Sequence, residues 1–120
     1  MEFIVKCRQA ALKGASWIVS YLHRDGSFGP NTPEFGFYYK TASALIESGH
    51  ALEALRVLEY VKKTHLMDNG DFRVGLGQYT DDAFWHPYFG TWVIMAAQKV
   101  ERFDICLLYT SPSPRDRQKS

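Results

Sequence analysis

The chain has 120 residues, of which 46% are hydrophobic, 15% aromatic and 22% charged, enough for one compact domain and too few for a multidomain enzyme. No apolar run reaches the roughly 18 residues that a membrane-spanning helix needs, and the first residues lack the basic, apolar and small-residue order of a signal peptide, so a cytoplasmic chain is expected. A formal charge of +1 gives no electrostatic case for nucleic acid or an anionic membrane as partner.

Apolar side chains at Phe3, Ile4, Cys7, Ala10, Ala11, Gly14, Trp17, Ile18, Tyr21 and Leu22 recur every three or four positions. This spacing predicts a helix over residues 3–22, with Lys6, Gln9, Lys13 and Ser16 on its polar face. Cys7 then reads as a small core hydrophobe. Arg24 to Pro33 is rich in Gly, Pro and Asn and predicts a structured loop. A second helix is predicted from Phe37 to Ser48, ended by Gly49, which suits the left-handed conformation of a helix C-terminus. A third follows from Ala51 to Thr64, with Ala51, Ala54, Leu55, Leu58 and Val61 inward. The Gly49-His50 link is short enough to impose an antiparallel hairpin. A second loop, His65 to Asp82, precedes a fourth helix from Ala83 to Val100 that carries Phe84, Tyr88, Trp92, Met95, Ala96 and Val100. Pro87 is tolerated in its first turn, where no amide hydrogen is needed.

The two loops repeat one another. His23-Arg24-Asp25-Gly26-Ser27-Phe28 aligns with Met67-Asp68-Asn69-Gly70-Asp71-Phe72 at an offset of 44 residues, which also lays Leu22 on Leu66. Each loop leads to an aromatic-headed helix, Tyr38-Tyr39 in one and Tyr88-Phe89 in the other. Helix, Gly-aromatic loop and helix in tandem predict an array of helical hairpins, each covered by its neighbours.

Lys13-Gly14-Ala15-Ser16-Trp17-Ile18, followed at the expected intervals by Leu22 and by Gly26-Ser27-Phe28, resembles the QW repeat of terpenoid cyclases. Leu22 stands where that family has Gln and Phe28 where it has Trp, and the second copy keeps only Gly70-Asp71-Phe72. Over residues 8–105 the chain is similar to the terpenoid cyclase and protein prenyltransferase superfamily. The resemblance implies an all-α fold, an α/α toroid of which this chain is a C-terminally truncated fragment with about four helices in two hairpins. It also implies an isoprenoid or other apolar substrate in the central cavity. Gly26 and Gly70 themselves read as structural, permitting a tight turn that returns Phe28 or Phe72 over the end of the preceding helix.

Chemistry concentrates near the fourth helix. The protonating cyclases use D-x-D-D, and Tyr79-Thr80-Asp81-Asp82 keeps only its second half; the same two acids suit a helix N-terminus. His86 follows Asp82 by one helical turn and could form a carboxylate–imidazole pair for general base work. Asp81, Asp82 and His86 are thus the candidate catalytic residues. Tyr79, Phe84, Trp85, Tyr88, Phe89 and Trp92 are too many rings for one buried helix face, so some should line a groove. Tyr38, Tyr39 and Trp85 are the candidate substrate-binding residues, expected to meet the acids on one concave face. Such rings serve cationic polyene intermediates and the apolar faces of sugars alike. Alternatives are therefore a carbohydrate-active toroid enzyme (hydrolase, lyase or epimerase) and a non-catalytic helical-repeat binding module, and whether the chain is an enzyme stays open. The zinc of protein prenyltransferases is held by Asp, Cys and His; Cys7 has no ligand-spaced His, so no metal or cofactor is expected.

From Cys106 the segment CLLYTSPSPRDRQKS loses all period and resembles the translated read-through of a sequencing-library adapter. Residues 1–105 are expected to form the partial toroid and residues 106–120 an artefactual or disordered tail outside the core. Without Arg115, Asp116, Arg117 and Lys119, residues 1–105 carry one net negative charge. Cys7 then has no disulfide partner, which fits a reducing compartment. With the rest of its toroid missing, the fragment should expose apolar edges. Trp17 and Trp92 are expected to be buried, and Lys6, Lys13, Lys62 and Glu59 exposed.

Overall fold

The computed structural model describes residues 1–28, 38–73 and 85–110, with residues 85–87 described by backbone alone. These residues form helices α1 (Glu2–Tyr21), α2 (Thr41–Glu47), α3 (Ala51–Thr64), α4 (Trp85–Lys99) and α5 (Phe103–Thr110). Among the described residues there is no strand, only isolated bridges, so the fold is all-α as expected.

Helix α1 forms where its periodicity predicts, yet its apolar stripe is largely uncovered. Ala15 is its buried residue, while Phe3, Ile4 and Tyr21 are exposed and Trp17, expected in the core, is 64% exposed. Cys7, also expected inside, is exposed. Periodicity creates an apolar face without supplying a partner for it, and only the C-terminal part of the helix, from Ala15 through Ile18 and Val19 to Leu22, is drawn against the rest of the fold.

Helix α2 starts at Thr41 rather than Phe37; Tyr38 to Lys40 instead form a turn whose Tyr38 carbonyl accepts from the Thr41 N–H at 3.0 Å. Its end is a Schellman turn: Gly49 has φ 88°, its N–H donates to the Ile46 carbonyl at 3.1 Å, and the His50 N–H donates to the Leu45 carbonyl at 2.7 Å. Helix α3 has the predicted bounds, with Glu53 in its first turn and Lys62 and Lys63 in its last, both favourable to the helix dipole. Its buried stripe is Ala54, Val57, Leu58 and Val61. That corrects the predicted inward set: Ala51 is exposed and Leu55 only half-buried, because the core lies under a stripe rotated toward Val57.

Helix α4 begins at Trp85; Ala83 and Phe84, predicted to open it, lie outside the described residues. Val93, Ala96 and Ala97 are buried, Met95 is exposed, and Trp92, expected to be buried, is half-buried. The α4–α5 link repeats the Schellman turn. Glu101 donates to the Gln98 carbonyl at 3.2 Å and Arg102 to the Ala97 carbonyl at 2.8 Å, with Glu101 at φ 62° where α2 has glycine. Helix α5 runs across Cys106, where the sequence predicts the period to stop. Ile105 is fully buried, Cys106 and Tyr109 pack against the core, and Leu107 is 66% exposed. Residues 111–120 lie outside the described residues.

The two Gly-aromatic loops share one geometry. Leu22 bridges Phe28 and Leu66 bridges Phe72. His23 N–H donates to the Ser27 carbonyl and Met67 N–H to the Asp71 carbonyl, both at 2.8 Å. The Asp25 carboxylate accepts from the Ser27 N–H at 2.9 Å, and the Asn69 carbonyl oxygen from the Asp71 N–H at 3.0 Å. Gly26 and Gly70 have φ 93° and 92°. A Cβ at Gly26 would fall on the Arg56 carbonyl oxygen of α3, and one at Gly70 on the Leu108 carbonyl oxygen of α5. Each loop therefore docks its glycine against a later helix.

Helix α2 packs against α3 and α4, and α4 against α5. The core joining them contains Tyr38, Leu45, Leu58, Phe72, Val93 and Ile105. At the surface Arg102 ties α3 to the start of α5: it donates to both Asp104 oxygens at 3.0 and 2.9 Å and to Glu59 at 2.8 Å, while Lys62 reaches Asp104 at 2.8 Å. Lys6 and Lys13 are exposed as expected, whereas Lys62 and Glu59 are half-buried in this cluster.

Candidate functional site

Consecutive side chains at the head of α2 part company because a turn, not a helix, carries them. Tyr38 is 1% exposed, stacked on Phe28 with centroids 5.2 Å apart and tilted against Tyr60 at 5.0 Å. Its hydroxyl accepts from the Phe28 N–H at 3.2 Å, so Tyr38 anchors the first loop to α3. Burial and the Tyr38 hydroxyl push the Tyr60 phenol up from its ordinary value.

Tyr39 turns the other way, toward α4. Its ring meets Phe89 at 4.6 Å and Tyr88 at 5.9 Å, both edge to face. Beside them stands Lys40, whose Nζ lies 5.5, 5.6 and 5.2 Å from the ring centroids of Tyr39, Tyr88 and Trp92. All three distances fall within the range of a cation–π contact. The hydrogen bond between Lys40 and Tyr88 holds the Tyr88 phenol below its ordinary value and the Lys40 ammonium above its own. Lys40 is exposed and Tyr39, Phe89 and Trp92 half-buried, so the cluster presents a partly open aromatic surface with one fixed positive charge.

Of the residues singled out from sequence, Tyr38 lies in the core and Tyr39 in this cluster. Asp81 and Asp82 lie outside the described residues, and Trp85 and His86 are placed by backbone alone in the first turn of α4. Lys40 escaped sequence reasoning: nothing local marks a lysine as special, and its surroundings come from a helix some fifty residues later. The aromatic run in α4 was the available signal, but only the pairing of α2 with α4 brings Lys40 to it.

A separate open cleft of about 420 Å³ lies against the C-terminal half of α2, lined by Leu12, Ala15 and Ile18 of α1 and by Ala44 and Glu47. Among the described residues no three His, Cys, Asp or Glu side chains are grouped to hold a metal ion, and no helix is long and apolar enough to cross a membrane. Comparison with family models, with curated proteins and with solved structures finds no match.

Proposed function

We propose that this chain is part of a terpenoid-cyclase or prenyltransferase-like α/α toroid that binds an isoprenoid or other apolar substrate against α2 and α4. What supports the reading is the Tyr39, Tyr88, Phe89 and Trp92 cluster. Four rings converge where the turn before α2 meets α4 yet stay partly open, a surface suited to an apolar chain and to any cationic centre that develops on it. The resemblance to the QW repeat supports the same substrate class. On this reading Asp81, Asp82 and His86 would supply acid–base chemistry and Trp85 a further aromatic contact.

The test is binding of farnesol, followed by tryptophan fluorescence. Wild type is expected to bind saturably, and Y39A and W92A to weaken binding by about tenfold, the effect of losing one well-placed aromatic contact. Binding of cello- or xylo-oligosaccharides with no response to farnesol would replace this reading with the carbohydrate-active one. No response to either ligand would favour a binding module for macromolecules.

A further inference from the structure

Lys40 differs from most of the other described lysines. Lys6, Lys62, Lys63 and Lys99 each sit beside a carboxylate, of Glu2, Asp104, Glu59 and Glu47 respectively. Among the described residues no carboxylate pairs with Lys40, whose ammonium is instead held by Tyr39, Tyr88 and Trp92. Aromatic rings fix an ammonium without neutralising it, since their quadrupole carries no net charge. An ammonium has three N–H donors. The Lys40 ammonium lies against three rings on one side and is exposed, so among the described residues it remains open to a ligand.

We propose that Lys40 anchors the carboxylate of a ligand whose apolar or ring portion lies on the Tyr39–Tyr88–Trp92 surface. The proposal rests on that aromatic surface being the ligand face and adds the ligand's charged group to it. The chemistry favours a monoanion: Lys40 is the one cation against these rings among the described residues, so it neutralises a carboxylate, whereas a phosphate dianion would keep a net negative charge beside ring faces that are themselves negative. Because Lys40 is pinned by three rings, little side-chain freedom remains to be lost when the anion arrives.

The probe is benzoate, which joins a carboxylate to a flat ring, titrated into the full chain at neutral pH and followed by tryptophan fluorescence. Methyl benzoate, which keeps the ring and loses the charge, and inorganic phosphate, which keeps charge and loses the ring, are compared with it. Saturable benzoate binding, at least tenfold weaker for the ester and for phosphate, is expected. K40M should lose at least tenfold and K40R should retain binding, with helical circular dichroism unchanged; K13M, at an exposed lysine away from the rings, should behave as wild type. Equal binding of benzoate and its ester by wild type overturns the proposal whether or not K40M folds, and tighter binding of phosphate overturns the choice of carboxylate. Farnesol binding is expected to survive K40M. A wild-type chain that binds benzoate but not farnesol therefore sinks the isoprenoid reading alone, and the reverse result sinks the carboxylate site alone.

Discussion

At Glu101 the backbone has φ 62°, a left-handed conformation that opposes a β-carbon, and the side chain is exposed. Glycine performs the same task at position 49. Glu101→Gly should therefore stabilise the fold by about 0.5–1 kcal/mol, the relief of strain exceeding the entropy glycine adds to the unfolded chain; urea denaturation followed by circular dichroism measures it. The opposite sign is expected at Gly26, where φ is 93° and a Cβ meets the Arg56 backbone. Gly26→Ala should cost about 2–3 kcal/mol, since neither backbone can yield cheaply. Hydrogen bonds from Arg102 hold Asp104 and Glu59 below their ordinary values of 3.8 and 4.5. Carboxyls with lowered folded pKa values contribute their full stabilisation above the ordinary range and lose it as pH falls through the folded values. The urea midpoint should be flat above about pH 5 and decline below it, and R102M should flatten that acid decline, modestly because the pairs are partly solvated. The glycine loops are legible in sequence because Gly-x-Phe occurs twice. The Glu101 turn is not, because its residue type argues against the conformation it adopts.

Among the elements, the bounds of α3 are legible to the residue, since they need only a stripe of branched and small apolar side chains and a stop at either end, whereas the exact rotation of its buried stripe toward Val57 depends on where its neighbours lie. Helix α1 shows where periodicity ceases to inform. Its stripe is as regular as that of α3, but burial depends on a second surface that no local pattern encodes. Trp17→Gln, at a residue 64% exposed, should therefore change stability by no more than about 0.5 kcal/mol. Leu58→Ala, in the fully buried stripe of α3, should cost about 2–5 kcal/mol. Similar costs for the two substitutions in thermal or urea melts would show that the α1 face is covered in solution. The candidate site divides in the same way. Tyr39 is marked by its aromatic neighbours in the chain, whereas Lys40 gains its meaning only from the packing of α2 on α4.

The molecule measures 57 × 30 × 27 Å, elongated for a chain of this length, and most of α1 lies outside its core. Phe3, Trp17 and Tyr21 share one face of α1 and leave it in water, with Ile4 beside them and Val5 and Leu12 exposed on the opposite side, an uncovered apolar surface of the kind that mediates association. The isolated chain should therefore self-associate, with a sedimentation coefficient that rises with concentration, and replacing Phe3 and Trp17 by glutamine should suppress the rise. A concentration-independent monomer would show that the face is masked.

The shared loop geometry has a consequence for how such a chain can change its length. The joint is specified by Leu, Gly and Phe at fixed intervals, present as Leu22, Gly26 and Phe28 and again as Leu66, Gly70 and Phe72. Excising residues 23–66 would set Leu22 directly before Met67 and leave the same three side chains at the same intervals, so the splice would be locally invisible. Gene segments encoding whole units can thus be gained or lost without inventing a new junction, whereas an indel of one residue inside the joint breaks its turn at once. Size in such a lineage changes by the unit, as beads are added to a string.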